Sequence, residues 1–358
     1  MKNVSLLSAL LMLLGSMTAM TSCYSNLELH ERRFASKMHK YVEDTSSLVK
    51  TGGIRLIPIS TPKGSLKVWT KTIGHSDRIK VLLLGSGPDL SHEYLQCMES
   101  YFPGKAISFI YYDPLGSGRS ENLKDTALYS LARGTDEIEQ LRLALNLNQD
   151  NFYLFGHGRG GMLAIEYALK YQKNLKALIL SNTVSSSKVY SNYTMQLISA
   201  QPAAQPINQV SQQENGPNIE NSQDQKRLNE FYSKHVCRLP PGQYPAVIES
   251  FFKVQSDSIH TFNSASNAFT TPAEPSNWDR SADLKQITVP TLLIGAKYDL
   301  MDPEHVKWMA SQVKNGTYLY CASGSHLSMY DDQQVYMNGI TDFIYKVYRE
   351  DHFWDIYF

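Results

Sequence analysis

Apolar positions in this chain gather into short runs, separated by longer stretches in which apolar residues recur every three or four positions. The runs at 54–59, 67–73, 80–84, 106–112, 151–155, 176–180, 289–295 and 317–321 have the length of strands. The sequence KVLLLG at 80–85 is almost wholly apolar, which suits a strand buried on both faces. Helical spacing fills 92–102, 125–147, 157–171, 303–313 and 331–349. Strand and helix alternate through most of the chain, and that order predicts an α/β fold with a mostly parallel sheet.

The alternation stops after residue 183. Residues 184–283 read as helices and loops, and QPAAQPINQVSQQENGPNIENSQDQ is a Gln-, Asn- and Pro-rich stretch with no packed element. The α/β order resumes near 284. The expected organisation is therefore a core in two parts, 51–183 and 284–358, interrupted by a mostly helical insertion at 184–283. Hydrophobic residues at 42% are enough for a sizeable core and exclude a wholly disordered chain. Lys and Arg together number 34 and Asp and Glu 34, so no basic excess points to nucleic acid. Four cysteines, none in C-x-x-C spacing, suggest neither a disulfide scaffold nor a zinc site.

The first 22 residues form an address. Lys2 precedes an apolar run from Leu6 to Leu14, too short to span a bilayer, then small polar residues and Cys23. The Thr21-Ser22-Cys23 ending is similar to a bacterial lipoprotein signal, with Met20 standing where such signals usually carry Leu. Export is expected, with Cys23 lipidated and holding the protein to a membrane. Otherwise the protein is periplasmic or secreted. Residues 24–50 are charged and form a linker or helix.

The densest chemistry lies at NFYLFGHGRGGMLAIEYALKY, where Gly156-His157-Gly158-Arg159-Gly160-Gly161 joins a strand to a helix. One reading is the nucleophile elbow, G-x-S-x-G, in which a strained turn lifts the central side chain above the sheet. Its small flanking residues are present, but the centre is Gly158, which carries no hydroxyl and tolerates positive φ. A second reading is a dinucleotide-binding turn, G-x-G-x-x-G, matched by Gly156, Gly158 and Gly161. It requires an acidic residue at the end of the next strand, where Ser181-Asn182 stand instead. A third is close helix–strand packing alone.

Several further passages match one pattern in order: LLLGSGPDLSHEYL, YYDPLGSGRS, LFGHGRGGMLAIEYALKY, FYSKHVCRL, NWDRSADLKQITVPTLLIGAKYDLMDP and SGSHLSMYDD. Together they resemble the proline iminopeptidase family of α/β-hydrolase serine peptidases across most of residues 50–347. The resemblance implies an α/β-hydrolase fold with a helical cap at 184–283, and neither cofactor nor metal. It assigns the triad acid to Asp299, the base to His326 and the nucleophile position to Gly158. Gly87, Pro88, Arg159 and Gly160 are expected to line the binding cleft. In such triads the Asp orients the imidazole and the imidazole takes the nucleophile's proton.

The departures from that pattern cluster at the chemistry. Gly158 replaces the serine and Arg159 the tryptophan after it. Gly85 replaces a histidine, Ser86 a glycine and Asp89 another glycine. The amine-binding glutamates of the cap align with Ala268 and Gln223. The expectation is a catalytically silent relative that binds a small molecule or short peptide in the former cleft. The α-helix N-terminus after Gly158, with Arg159, would favour an anionic group there. The alternatives are an active hydrolase or aminopeptidase with a relocated nucleophile, Ser86 being the candidate, and dinucleotide binding at the glycines.

Overall fold

A computed structural model describes residues 52–86, 91–123, 125–200, 223–240, 242–249 and 277–351. The leader with Cys23, the 24–50 segment, Gly87, Pro88, Asp89 and Ala268 lie outside the described residues, as does the side chain of Gln223. Eight strands form one sheet in the order β1-β2-β4-β3-β5-β6-β7-β8. They are β1 Ile54–Thr61, β2 Gly64–Ile73, β3 Lys80–Leu84, β4 Ser108–Asp113, β5 Phe152–His157, β6 Ala177–Ser181, β7 Thr291–Ala296 and β8 Gly316–Cys321. The first two form a hairpin and β2 runs antiparallel to β4, while every pairing from β4 onward is parallel. This is the α/β-hydrolase arrangement.

Burial follows position in the sheet. The central strands β4, β5, β6 and β7 are buried at every residue, whereas β1, an edge strand, alternates. That is why the central strands read as continuous apolar runs. Helices α1 Leu131–Ala144, α2 Arg159–Tyr171, α3 Ser187–Ser199, α4 Gln223–His235, α5 Pro303–Gln312 and α6 Gln333–Asp351 accompany the sheet. The chain leaves the sheet after β6 and returns at β7, with α3 and α4 lying between.

Of the boundaries that differ from the sequence pattern, three have a local reason. Residues 92–100 wind as a 3₁₀ helix, because buried Asp113 Oδ1 accepts from both the amide and the ring Nδ1 of His92, each at 2.9 Å, and fixes the first turn. The 125–147 stretch yields a regular helix only from Leu131, where the Ser130 hydroxyl caps the Arg133 amide. It ends before Asn146, which adopts φ 52°. His157 belongs to β5 rather than to the following helix, which starts at Arg159.

The parallel strands point their C-terminal ends the same way. Ser86, Gly158, Asn182, Asp299 and His326 each follow, within five residues, the end of β3, β5, β6, β7 and β8 respectively. One edge of the sheet therefore collects all of them, which is where open α/β sheets place their ligands. The step from β5 to α2 is tight: a Cβ on Gly156 would stand 2.3 Å from the Gly160 carbonyl oxygen. Gly156→Ala is expected to destabilise the fold by about 1–3 kcal/mol or more through overpacking. Urea denaturation reads the effect, and a variant as stable as the wild type would refute this close approach.

Candidate active site

Gly158 has φ 55° and ψ −120°, a conformation open to glycine and strained for other residues. The turn is braced on three sides. Its amide donates to the Ser181 carbonyl at 3.0 Å, its carbonyl accepts from Thr183 Oγ1 at 2.7 Å, and the Gly161 amide returns to that same carbonyl at 3.0 Å. A Cβ on Gly161 would press on Thr183 at 2.5 Å. The glycines at 156 and 161 thus serve helix–strand packing. The amides of Gly158 and Gly161 are engaged within the turn, and Asn182, not a carboxylate, follows β6. Nothing here forms the phosphate cradle of the dinucleotide reading.

Asp299 and His326 meet beside this turn. Nδ1 of His326 donates to Asp299 Oδ1 at 2.8 Å, and both side chains are fully buried. The other Asp299 oxygen accepts from Asn182 Nδ2 at 2.8 Å, and the same amide group reaches the Ser325 carbonyl at 3.2 Å. Asn182 adopts φ 48°, so its backbone is bent to deliver that side chain. The proton on Nδ1 leaves Nε2 as the imidazole's acceptor nitrogen. Nε2 faces the turn, 3.4 Å from where a Cβ on residue 158 would stand. The Asp299–His326 pair is therefore turned towards residue 158, which has no side chain.

A second histidine lies under the first. His157 is fully buried, and its Nε2 donates to the His326 carbonyl at 2.9 Å. A carbonyl only accepts, so the proton sits on Nε2 and Nδ1 is an acceptor. Around Nδ1 stand Ser86 Oγ at 2.9 Å and the Tyr94 hydroxyl at 3.1 Å, and that hydroxyl accepts the Ser86 amide at 2.8 Å. Burial, and after it the neighbouring His326, push the His157 imidazole well below its ordinary pKa. Burial likewise pushes the Tyr94 phenol up.

Arg159 does not extend over the turn into open solvent. It is buried, its Nη2 donates to the Tyr129 carbonyl at 2.8 Å, and it lines a cavity of about 30 Å³ with Glu137, Tyr112, Gly85 and Gly134. Glu137 accepts there from the Tyr112 hydroxyl and the Leu115 amide, and burial raises its carboxyl pKa. The amides of Arg159 and Gly160 still open α2, which runs for 13 residues. The histidine loop is held from the far side by the end of α4. The His326 and Leu327 amides donate to the carbonyls of His235 and Val236 at 3.0 and 2.8 Å, and Ser325 Oγ joins the latter at 2.9 Å. Among the described residues no cluster of three or more His, Cys, Asp or Glu could hold a metal ion, and Cys97, Cys237 and Cys321 are free thiols.

The structure brings Ser86, Gly158, Asp299 and His326 together at the C-terminal ends of β3, β5, β7 and β8. Sequence reasoning missed Asn182 and Thr183 as supports and the Tyr94–His157–Ser86 cluster. Asn182 was visible only as a polar residue ending an apolar strand. His157 and Tyr94 lay within the quoted motifs without any pattern that singled them out.

Comparison with known proteins agrees with this geometry. A family model described as alpha/beta hydrolase fold matches residues 81–333. The chain is 50% identical over 296 residues to a proline iminopeptidase of Chitinophaga pinensis, covering 82% of this chain and 98% of that protein. It is 42% identical to a proline iminopeptidase of Flavobacterium johnsoniae, covering 82% and 99%. The crystal structure of a Mycobacterium smegmatis proline iminopeptidase shares the fold with a TM-score of 0.70 at 19% identity, covering 83% of this chain and 99% of the other.

The depressed His157 pKa has a consequence for stability. The folded chain keeps this imidazole neutral at pH values where the unfolded chain, near the ordinary 6.5, takes up a proton. The unfolded state then binds more protons, so stability is full above that value and falls as pH drops below it. His235 and His305, also lowered by burial, contribute in the same direction. Between about pH 6.5 and 5, His157→Gln should lose up to about 1.4 kcal/mol per pH unit of the wild-type slope. Parallel urea-denaturation profiles for the two proteins would rule this out.

Proposed function

Because the chain belongs to the proline iminopeptidase-like family of α/β-hydrolases, we propose that it retains the family's cleft as a binding site while being silent in serine-dependent hydrolysis. One observation carries this reading: the Asp299–His326 pair is complete at 2.8 Å, and Gly158, towards which Nε2 of His326 is turned, bears no hydroxyl. Acyl transfer in such a site needs an oxygen that gives its proton to the imidazole as it attacks. Among the described residues, the hydroxyl nearest the place a Cβ on residue 158 would take is that of Ser86. Both acceptors within reach of the Ser86 hydroxyl, Nδ1 and the carbonyl of His157, belong to His157 and not to His326.

The oxyanion side supports the same reading. Residues after β3 supply one donor of an oxyanion hole in this fold, and the residue after the nucleophile supplies the other. Of the residues after β3, Gly85 and Ser86 are described before the loop passes outside the described residues, and the Ser86 amide is engaged by Tyr94. The cleft is read as taking a small molecule or short peptide, with the first amides of α2, at Arg159 and Gly160, facing a polar or anionic group. The segment between β6 and β7 serves as its cap.

A second reading, hydrolysis through Ser86, has one observation in its favour: Ser86 Oγ lies 2.3 Å from where the Cβ of a residue at 158 would stand. The test separates the two. Exposure of the full chain to a fluorophosphonate, followed by intact-mass spectrometry, is expected to give no adduct. Turnover of prolyl arylamides is expected to fall on the order of 10⁶-fold below that of a serine-bearing relative. Short peptides and carboxylates should raise the melting temperature without being consumed. An adduct mapped to Ser86, or turnover abolished by Ser86→Ala, would replace this reading with the second.

The leader extends the proposal to location: the domain works outside the cytoplasm, tethered by lipid on Cys23. No helix among the described residues is long and apolar enough to cross a membrane. Cys23→Ser is expected to move the protein from the membrane to the soluble fraction and to abolish palmitate incorporation. Unchanged fractionation would remove the tether.

A further inference from the structure

We infer that Ser86 is a positioning residue that holds the nucleophile position shut, so that the silent state is maintained by the pair Ser86 and Gly158 rather than by Gly158 alone. This rests on the silent reading above and deepens it. A Cβ on residue 158 would stand 2.3 Å from Ser86 Oγ and 3.3 Å from Ser86 Cβ. The first distance lies far inside the ~3.5 Å at which non-bonded atoms rest. The second leaves little room even if the hydroxyl turns aside.

The Ser86 side chain is not a loose end that yields freely. It is 5% exposed, its hydroxyl is bonded to His157 Nδ1 at 2.9 Å and lies 3.3 Å from the His157 carbonyl, and its amide is bonded to the Tyr94 hydroxyl at 2.8 Å. The cluster is anchored in turn, since His157 Nε2 donates to the carbonyl of His326, the base itself. Rotating the hydroxyl out of the way breaks its own bond to His157 Nδ1, leaving the Tyr94 hydroxyl at 3.1 Å beside that nitrogen, and keeps Ser86 Cβ in place. The dependence is reciprocal: Ser86 can hold this rotamer only because residue 158 has no Cβ. These are also two positions where glycine and serine have changed places relative to the motifs the sequence resembles. A serine restored at 158 therefore meets Ser86 where its own hydroxyl must turn towards His326.

The test uses the full chain as four proteins: wild type, Gly158→Ser, Ser86→Gly and the double variant. Each is treated with a fluorophosphonate, with adducts quantified by intact mass and located by peptide mapping. Wild type and Ser86→Gly should stay unlabelled. The double variant should label at residue 158 at least about tenfold faster than Gly158→Ser alone, the effect of breaking one buried hydrogen bond. Equal rates for Gly158→Ser and the double variant would overturn the inference, as would a folded double variant that never labels.

A second measurement stands if the double variant does not fold. Gly158→Ala should lower the melting temperature more in the wild-type background than in Ser86→Gly or Ser86→Ala, and equal losses would overturn the pairing. An adduct on Ser86 of the wild type is a different outcome, because it defeats the silent reading itself. Labelling of Gly158→Ser at the double variant's rate defeats only the role given to Ser86.

Discussion

The passage from β5 to α2 runs through a backbone conformation, φ 55° and ψ −120° at Gly158, that a side-chain-bearing residue adopts only under strain. Glycines before and after it let the helix come within contact of the strand, and hydrogen bonds from Ser181 and Thr183 hold the turn. In a serine hydrolase that strain presents a hydroxyl to its base. Here the same bend is made by the one residue for which it costs least. The close approach of α2 to β5 and the bonds to the residues after β6 depend on this junction, whatever residue stands on it.

What surrounds the junction is an orienting apparatus in good order. Asp299 is held by Asn182, His326 by Asp299, and the backbone of the histidine loop by the end of α4. Below it His157 ties the His326 carbonyl to Ser86 and Tyr94. Buried polar groups of this kind must be satisfied together or they destabilise the fold. A network that also satisfies the interior of the protein has a reason to persist apart from catalysis. That accounts for a complete Asp299–His326 pair beside a glycine at 158.

Arg159 illustrates how a residue that reads as functional becomes structural. Its charge and its place at a helix start suggest an anion site, yet the guanidinium turns inward to the Tyr129 carbonyl and shares a small cavity with Glu137. A long side chain at the first position of a helix can reach either face of the junction. Which one it takes depends on what the neighbouring elements leave open, here the space between α1, α2 and β4.

The α/β class and the alternation of strand and helix were legible in the amino-acid pattern, as were Ser86, Gly158, Asp299 and His326 as residues of one cleft. Those depend on periodicity, on runs long enough to be buried on both faces, and on turn residues whose conformational limits are local. The 3₁₀ form of residues 92–100 and the late start of α1 were not legible, because a buried carboxylate and a capping hydroxyl, each chosen by tertiary contacts, decided them. The supports from Asn182, His157 and Tyr94 were hidden for the same reason: they act across strands that are distant in the chain. Only the tertiary structure decided that Ser86 stands over Gly158, since that depends on the spacing of β3 and β5 and on a rotamer fixed by His157. A missing hydroxyl can be read from one position, but whether another side chain has filled its place is a property of the packed interior.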